Sequence, residues 1–303
     1  MRRPGGSGPG RVASPPVEIG ELLGAGLARA VEDFHEGDGP VAAALTPDAI
    51  HDTRVALRKI RSNLRTFGRL LDPAWSSAVR GELAWYESVL GGVRDLDVTG
   101  ARLLGASERL DDRKALAAIT ALLATERAAR LGDLQAGRAS PRYTTTLAYL
   151  AQAATEPPLR DRAHQPARAA LLPVLERPWR DLRDAARAAR RASAERSLHV
   201  MRIRAKQLRY AAELATPVLG GGASRCARAA AGLQRHLGVQ RDAVLATAWL
   251  EHAAGEAPEA AFLCGQLAAE QEAFAETQAA SWERPARDVR RAWRRLAAGR
   301  RGR

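Results

Sequence analysis

The chain has 303 residues, 46% hydrophobic but only 5% aromatic, enough for one large domain or two of ordinary size. Ala and Leu dominate the apolar set, and with Arg and Glu they favour helices, while Ile, Thr and Tyr never cluster into the alternating runs that would suggest strands. A net charge of +13 and a pI near 11.0 point toward polyanions such as nucleic acid, anionic lipid or phosphate polymers.

The opening "MRRPGGSGPGRVASPP" is rich in Gly, Pro and Arg, so residues 1–17 are expected to be a disordered leader. It has no apolar h-region, and no later run approaches the ~18–20 apolar residues of a membrane span. A cytoplasmic setting without membrane attachment is the expectation. An amphipathic helix begins at Val17 and stops near Gly37. "LTPDAIHDTRV" then starts a second helix, with Thr46 as cap, Pro47 at the first helical position and Asp48 in the first turn. That helix should run to about Leu71. Further helices are expected over 73–90 (ended by Gly91-Gly92), 93–105, 111–137 and 141–154. "ATEPPLRD" (154–161) divides the chain. Helices resume over 166–191, 194–219, 223–237, 239–254 and 258–280, and the arginine-rich end starts as a helix and becomes a basic tail.

The restart is an internal repeat. With His51 placed over His199, Arg54 falls on Arg202, Val55 on Ile203, Arg58 on Lys206, Ile60 on Leu208 and Arg61 on Arg209. Downstream, "LGGVRDLDV" (90–98) matches "LGVQRDAVL" (237–245), so Arg94-Asp95 falls on Arg241-Asp242. Two motifs kept in order at nearly constant separation are hard to attribute to arginine abundance, although only Lys59, Lys114 and Lys206 among the 47 basic residues are lysine.

On a helical wheel at ~100° per residue, His51, Arg54, Arg58, Arg61 and Arg65 share an arc of roughly 80°, away from Leu57, Ile60, Leu64 and Phe67. His199, Arg202, Lys206 and Arg209 occupy the same arc of the second copy, opposed by Ala205, Leu208 and Ala212. Like charges at i and i+4 cost ~0.2–0.5 kcal/mol per pair on an isolated helix. Either both rows face water or carboxylates on neighbouring helices, or they hold a polyanion. Two copies in register favour the polyanion. Lys59 and Arg204 fall outside the rows and read as surface charges. His51 and His199 suit phosphate donors better than metal ligands, since no HxxxH or HExxH is present and the arginines would repel a cation. The nearby cations should lower their pKa. Arg94 and Arg241 follow glycines at expected helix starts, which suits either an anion or a local salt bridge to Asp95, Asp97 or Asp242.

Other chemistries lack support. Cys226 and Cys264 form no CxxC pair, so neither a disulfide framework nor a zinc ribbon is indicated. No GxxxxGK[ST] exists, and "GGSGPG" lies in the leader after no strand. "RDLRDAARAARR" (180–191) mixes signs like a solvated face, and the six tryptophans are scattered as packing residues. No carboxylate cluster suggests a phosphohydrolase, so neither catalysis nor a cofactor or metal is expected.

His-x-x-Arg-Val-x-x-x-Arg-Lys-x-Arg in the first half and His-x-x-Arg-Ile-x-x-Lys-x-Leu-Arg-Tyr in the second resemble the signature of the CHAD family, the conserved histidine α-helical domain. The Leu-Gly-x-x-Arg-Asp elements are similar to the family pattern too. The resemblance spans roughly residues 18–296, with repeat one over about 18–155, repeat two over about 160–282, and 297–303 left as a basic tail. It implies an all-α fold of two pseudo-symmetric helical bundles around a basic central cleft or pore that binds inorganic polyphosphate. His51, Arg54, Arg58, Arg61, His199, Arg202, Lys206 and Arg209 would then line the cleft, Arg94 and Arg241 would support it, and the protein would associate with polyphosphate granules. The chain lacks the ExExK motif of the triphosphate-tunnel domain that some members carry, so hydrolysis by that route is not implied. Ala56 stands where the second copy has Arg204, so the two walls need not be equivalent. The alternative is a nucleic-acid or nucleoid-associated protein drawn by overall charge and the arginine-rich end.

Overall fold

The computed structural model describes residues 17–107, 112–191 and 195–299. The expected leader up to residue 16 and the last four residues of the basic tail lie outside them. The described residues are almost wholly helical, in the order α1 (Ile19–Ala44), α2 (Pro47–Thr66), α3 (Pro73–Ser107), α4 (Arg113–Arg138), α5 (Pro141–Thr155), α6 (Ala167–Arg191), α7 (Glu195–Leu219), α8 (Gly221–Glu256), α9 (Ala261–Ser281) and α10 (Glu283–Ala298). Among them there is no strand, and no helix is long and apolar enough to cross a membrane. The α2 start is as its sequence dictates: the Thr46 hydroxyl accepts from the Ala49 amide at 3.3 Å, ahead of Pro47.

Helices keep similar neighbours in the two halves. α1 packs on α2 as α6 packs on α7, and α2 on α3 as α7 on α8. The halves meet where α2 touches α7 and α3 touches α8. One apolar core, from Ile19 to Leu296, runs through both. A second, smaller core gathers Leu103, Ile119, Leu250, Leu263 and Leu267, and it takes in buried Cys264. The segment expected to divide the chain is itself tied down. The Ile19 amide donates to the Gln165 carbonyl at 2.9 Å, and the Arg160 amide to the Leu70 carbonyl at 2.8 Å.

Three expected breaks are absent. α1 runs seven residues beyond Gly37, α3 passes straight through Gly91-Gly92, and α8 passes through Gly238. Glycine inside a helix costs about 1 kcal/mol relative to Ala, so each needs a local reason. At Gly37 that reason is close approach, since a Cβ there would lie 2.8 Å from the Thr53 amide nitrogen of α2. The next residue, Asp38, is buried. Its carboxylate accepts from the Tyr86 hydroxyl of α3 at 2.6 Å, from the Tyr143 hydroxyl of α5, and from Arg138 of α4. Three helices are thereby fixed to the last turns of α1.

α10 is also integral rather than a loose basic end. Val289, Trp293 and Leu296 are buried, and Trp293 stacks on Trp179 of α6 with ring centres 5.5 Å apart.

Removing the carboxylate from this cluster strands half-buried Arg138 and the buried hydroxyls of Tyr86 and Tyr143, and breaking such a pair typically costs about 3–5 kcal/mol. Asp38→Ala should therefore destabilise the chain by about 3–5 kcal/mol in chemical denaturation, whereas a loss below about 1 kcal/mol would remove the cluster from the account of why α1 extends past Gly37.

Candidate functional site

The eleven candidate residues divide among α2 (His51, Arg54, Arg58, Arg61, Arg65), α3 (Arg94), α7 (His199, Arg202, Lys206, Arg209) and α8 (Arg241). Apolar and charged positions separate on α2 and α7 as the helical wheel predicts. Leu57, Ile60, Leu64, Ala205, Leu208 and Ala212 are buried on the backs of α2 and α7. The charged rows are half-buried, and only Arg65 is exposed.

The rows meet where α2 packs on α7. The charges of Arg54 and Arg58 act on Arg202, and those of Arg58, Arg202 and Arg61 act on Lys206. Burial, joined by these cations and opposed by Glu87, brings the Lys206 ammonium down to about 8. Burial likewise holds Arg54 and Arg202 below the ordinary arginine range, against the pull of Asp95 and Asp242. The Nε atoms of Arg54, Arg58 and Arg202 and the Nδ1 of His199 are buried with no hydrogen-bond partner among the described residues. Native proteins leave few such atoms.

The glycines read as helix breaks have a different use. A Cβ on Gly91 would sit 3.4 Å from Arg54 Nη2, and one on Gly238 would sit 3.6 Å from Arg202 Nε. Each glycine lets a guanidinium lie flat against the facing helix. Arg54 Nη1 donates to the Gly91 carbonyl at 3.4 Å and to Asp95 Oδ1 at 3.3 Å. Asp242 is the main attractive charge on Arg202, and burial raises its own pKa. The Leu-Gly-x-x-Arg-Asp elements therefore seat the leading arginine of each row.

Arg94 and Arg241 require a correction. Both lie inside α3 and α8, so no free helix terminus gathers there. Each instead neighbours the histidine of its own half. After burial, Arg94 is the largest influence lowering the His51 pKa, and Arg241 the largest lowering that of His199. The expected downward shift is present, but desolvation leads it. Arg241 also pairs with Glu195 of α7, a partner outside the three carboxylates considered from sequence. Asp97, the third of those, pairs with Arg127 at 2.6 Å.

The rows are less pure than sequence suggested. Arg61 pairs with Glu87 of α3, a half-buried carboxylate that also attracts Lys206 and Arg54. In the second half, Arg209 donates to Glu213 at 2.7 Å and to Gln234 at 3.5 Å. Glu213 thus closes the second row. Glu87 and Gln234 both stand three residues before the Leu-Gly step of their copy, a spacing that could have revealed them. Lys59 and Arg204, read as surface charges, are half-buried like the rows and pair with Asp33 at 2.8 Å and Asp181 at 3.5 Å. Arg58, Arg65, Arg94, Arg202 and Lys206 make no ion pair within 4.0 Å among the described residues.

The CHAD domain family model matches residues 25–251, three-quarters of the chain. The chain belongs to the CHAD family. The crystal structure of the CHAD domain from the plant Ricinus communis is similar in fold, with a TM-score of 0.72 at 23% identity, covering 91% of this chain and 92% of that one. PptA from Streptomyces chartreusis is similar as well, with a TM-score of 0.67 at 22% identity, covering 92% of this chain and 100% of that one. In sequence, this CHAD protein is 31% identical over 283 residues to the uncharacterized proteins MT2285 and Rv2226 of Mycobacterium tuberculosis strains CDC 1551 and H37Rv. The match covers 87% of this chain and 52% of each relative, so the chain spans about half the length of the curated relatives it matches.

Lys206 gives the site a pH signature. Its folded pKa is about 8 against 10.5 for the unfolded group, so the unfolded chain binds more protons between those values. The penalty of the buried ammonium is full below about pH 8 and fades toward 10.5, so stability rises across that window. The difference in unfolding free energy between the wild type and Lys206→Met should therefore shift in favour of the wild type from pH 8 to 10.5; a pH-independent difference would show that this amine is not desolvated.

Proposed function

We propose that this CHAD protein binds inorganic polyphosphate, without turning it over, in a basic cleft formed by the duplicated α2 and α7 rows and backed by α3 and α8. The observation that carries the reading is Arg58, which has no carboxylate partner among the described residues and acts on both Arg202 and Lys206 of the opposite row. Like charges held this closely raise the free energy of the empty protein, and a linear polyanion laid between them lowers it. Family membership supports the same reading.

The chemistry fits a phosphate chain. Guanidinium forks grip paired oxygens, and an ammonium serves as a compact charge between them. The histidines, neutral when the site is empty, become better donors as an approaching phosphate raises their pKa. At 1.5 Å per residue, the row from His51 to Arg65 extends roughly 21 Å, which suits an elongated ligand better than a single phosphate. By analogy with nucleic acids, log affinity should fall steeply with log salt. Location at polyphosphate granules would follow from such binding.

Binding driven by overall charge is the competing reading, and α10 gives it a specific basis through exposed Arg290, Arg294 and Arg295. Deleting α10 would strip buried Val289, Trp293 and Leu296 from the core, so charge substitution is the sound comparison.

The double variant Arg58→Gln/Lys206→Gln should lose on the order of 100-fold in polyphosphate affinity, as expected for two charge-assisted contacts, with an undiminished melting temperature. Arg290→Gln/Arg294→Gln should bind nearly as the wild type does. Fluorescence titration at moderate salt would read both, with double-stranded DNA as competitor. Equal affinity for DNA, or a larger loss from the α10 pair, would favour the charge-driven reading.

A further inference from the structure

Beyond Arg65 the positive charge does not end. A depression of about 630 Å³ opens beside the C-terminal end of α2, between the start of α3 and the outer face of α6. Six arginines line it: Arg65, Arg69, Arg80, Arg162, Arg177 and Arg180. No Asp or Glu lines it, and none of the six makes an ion pair within 4.0 Å among the described residues. The charges form a continuous series. Arg65 is lowered by burial and then by Arg204, Arg80, Arg61 and Arg177, which places it between the α2 row and the depression. Six unneutralised guanidiniums around one hollow are a costly arrangement for an empty surface.

The corresponding stretch of the second half is charged differently. In the register that places His51 over His199, Arg65 corresponds to Glu213, Arg69 to Pro217 and Arg80 to Arg228. The depression at that end contains Arg209 and Arg228 with Glu213, and Glu213 already holds Arg209 at 2.7 Å. The α2 row therefore runs on past Arg65 into open positive charge, whereas the α7 row meets a carboxylate at Glu213.

We infer that the site extends beyond the cleft on one side only: a long polyphosphate chain seated between α2 and α7 continues past Arg65 through the six-arginine depression, and not through the depression beside Glu213. This rests on the cleft binding polyphosphate and adds a second, length-dependent stretch of site to it. A short oligophosphate fills the cleft alone, whereas a long chain gains the additional contacts. The floor of Phe67, Leu70, Pro73 and Ala170 supports the arginine stems while their forks stay free.

The test compares tripolyphosphate with long-chain polyphosphate on the full chain. Arg162 and Arg177 are exposed, so Arg162→Glu/Arg177→Glu should leave folding intact. Long-chain affinity should fall about tenfold or more in this variant, with a salt slope shallower by about two, while tripolyphosphate affinity stays unchanged. Arg228→Glu, in the depression beside Glu213, should not reduce the long-chain advantage. If the wild type binds long chains no more tightly than the variant does, the extension is wrong and the cleft stands. Equal losses for both ligands would reduce the effect to a general field, and an equal loss from Arg228→Glu would show that the extension is not one-sided; either overturns the inference. If wild-type protein binds neither ligand, the cleft reading fails and the extension fails with it.

Discussion

The constraint on which the rest depends is repulsion between two rows of cations brought face to face by α2 and α7. Their apolar backs are committed to one continuous core, so neither helix can turn its charges outward without exposing Leu57, Ile60, Leu64 or Leu208. Hydrophobic burial of a leucine-sized side chain contributes about 1.5–3 kcal/mol, more than the cost of a close like-charge pair on a helix. The fold thus holds charges together at the expense of part of its own stability. The glycines of α3 and α8 extend the same logic, since the space they leave lets Arg54 and Arg202 lie against helix surfaces with Asp95 and Asp242 nearby.

Carboxylates temper that repulsion unevenly. Glu87 stands in the first half where Gln234 stands in the second, and Glu213 in the second where Arg65 stands in the first. Glu87 pairs with Arg61 while also attracting Lys206 across the interface. A polyanion in the proposed cleft would therefore compete for some cations and find others without an ion pair, with Arg58, Arg202 and Lys206 as that group. The inequivalence of the two walls comes from these exchanges more than from Ala56 against Arg204, since Ala56 is buried and Arg204 pairs with Asp181.

The helical class and the rows were legible because both are periodic: apolar spacing near 3.6 with charge on the complementary arc leaves one reading. Thr46 and Pro47 were legible because capping is local chemistry. Gly37, Gly91 and Gly238 misled because glycine is both a terminator and a spacer, and only the partner across the gap decides which. Thr53, Arg54 and Arg202 are those partners, and they lie 16, 37 and 36 residues away in sequence. The same limit hid Glu87 and Glu195, whose roles depend on which helix faces them. The six-arginine depression was hidden most deeply, being assembled from four separate stretches of an arginine-rich chain.

The central claim is that the paired rows hold a desolvated, mutually repelling group of cations that a polyanion relieves. Calorimetric titration with polyphosphate near pH 8, in buffers of different ionisation enthalpy, measures the protons exchanged on binding. Relief of the repulsion should raise the Lys206 pKa and draw protons onto the protein, an uptake absent from Lys206→Met. Binding with no net proton uptake by the wild type, or with the same uptake by the variant, would contradict the account.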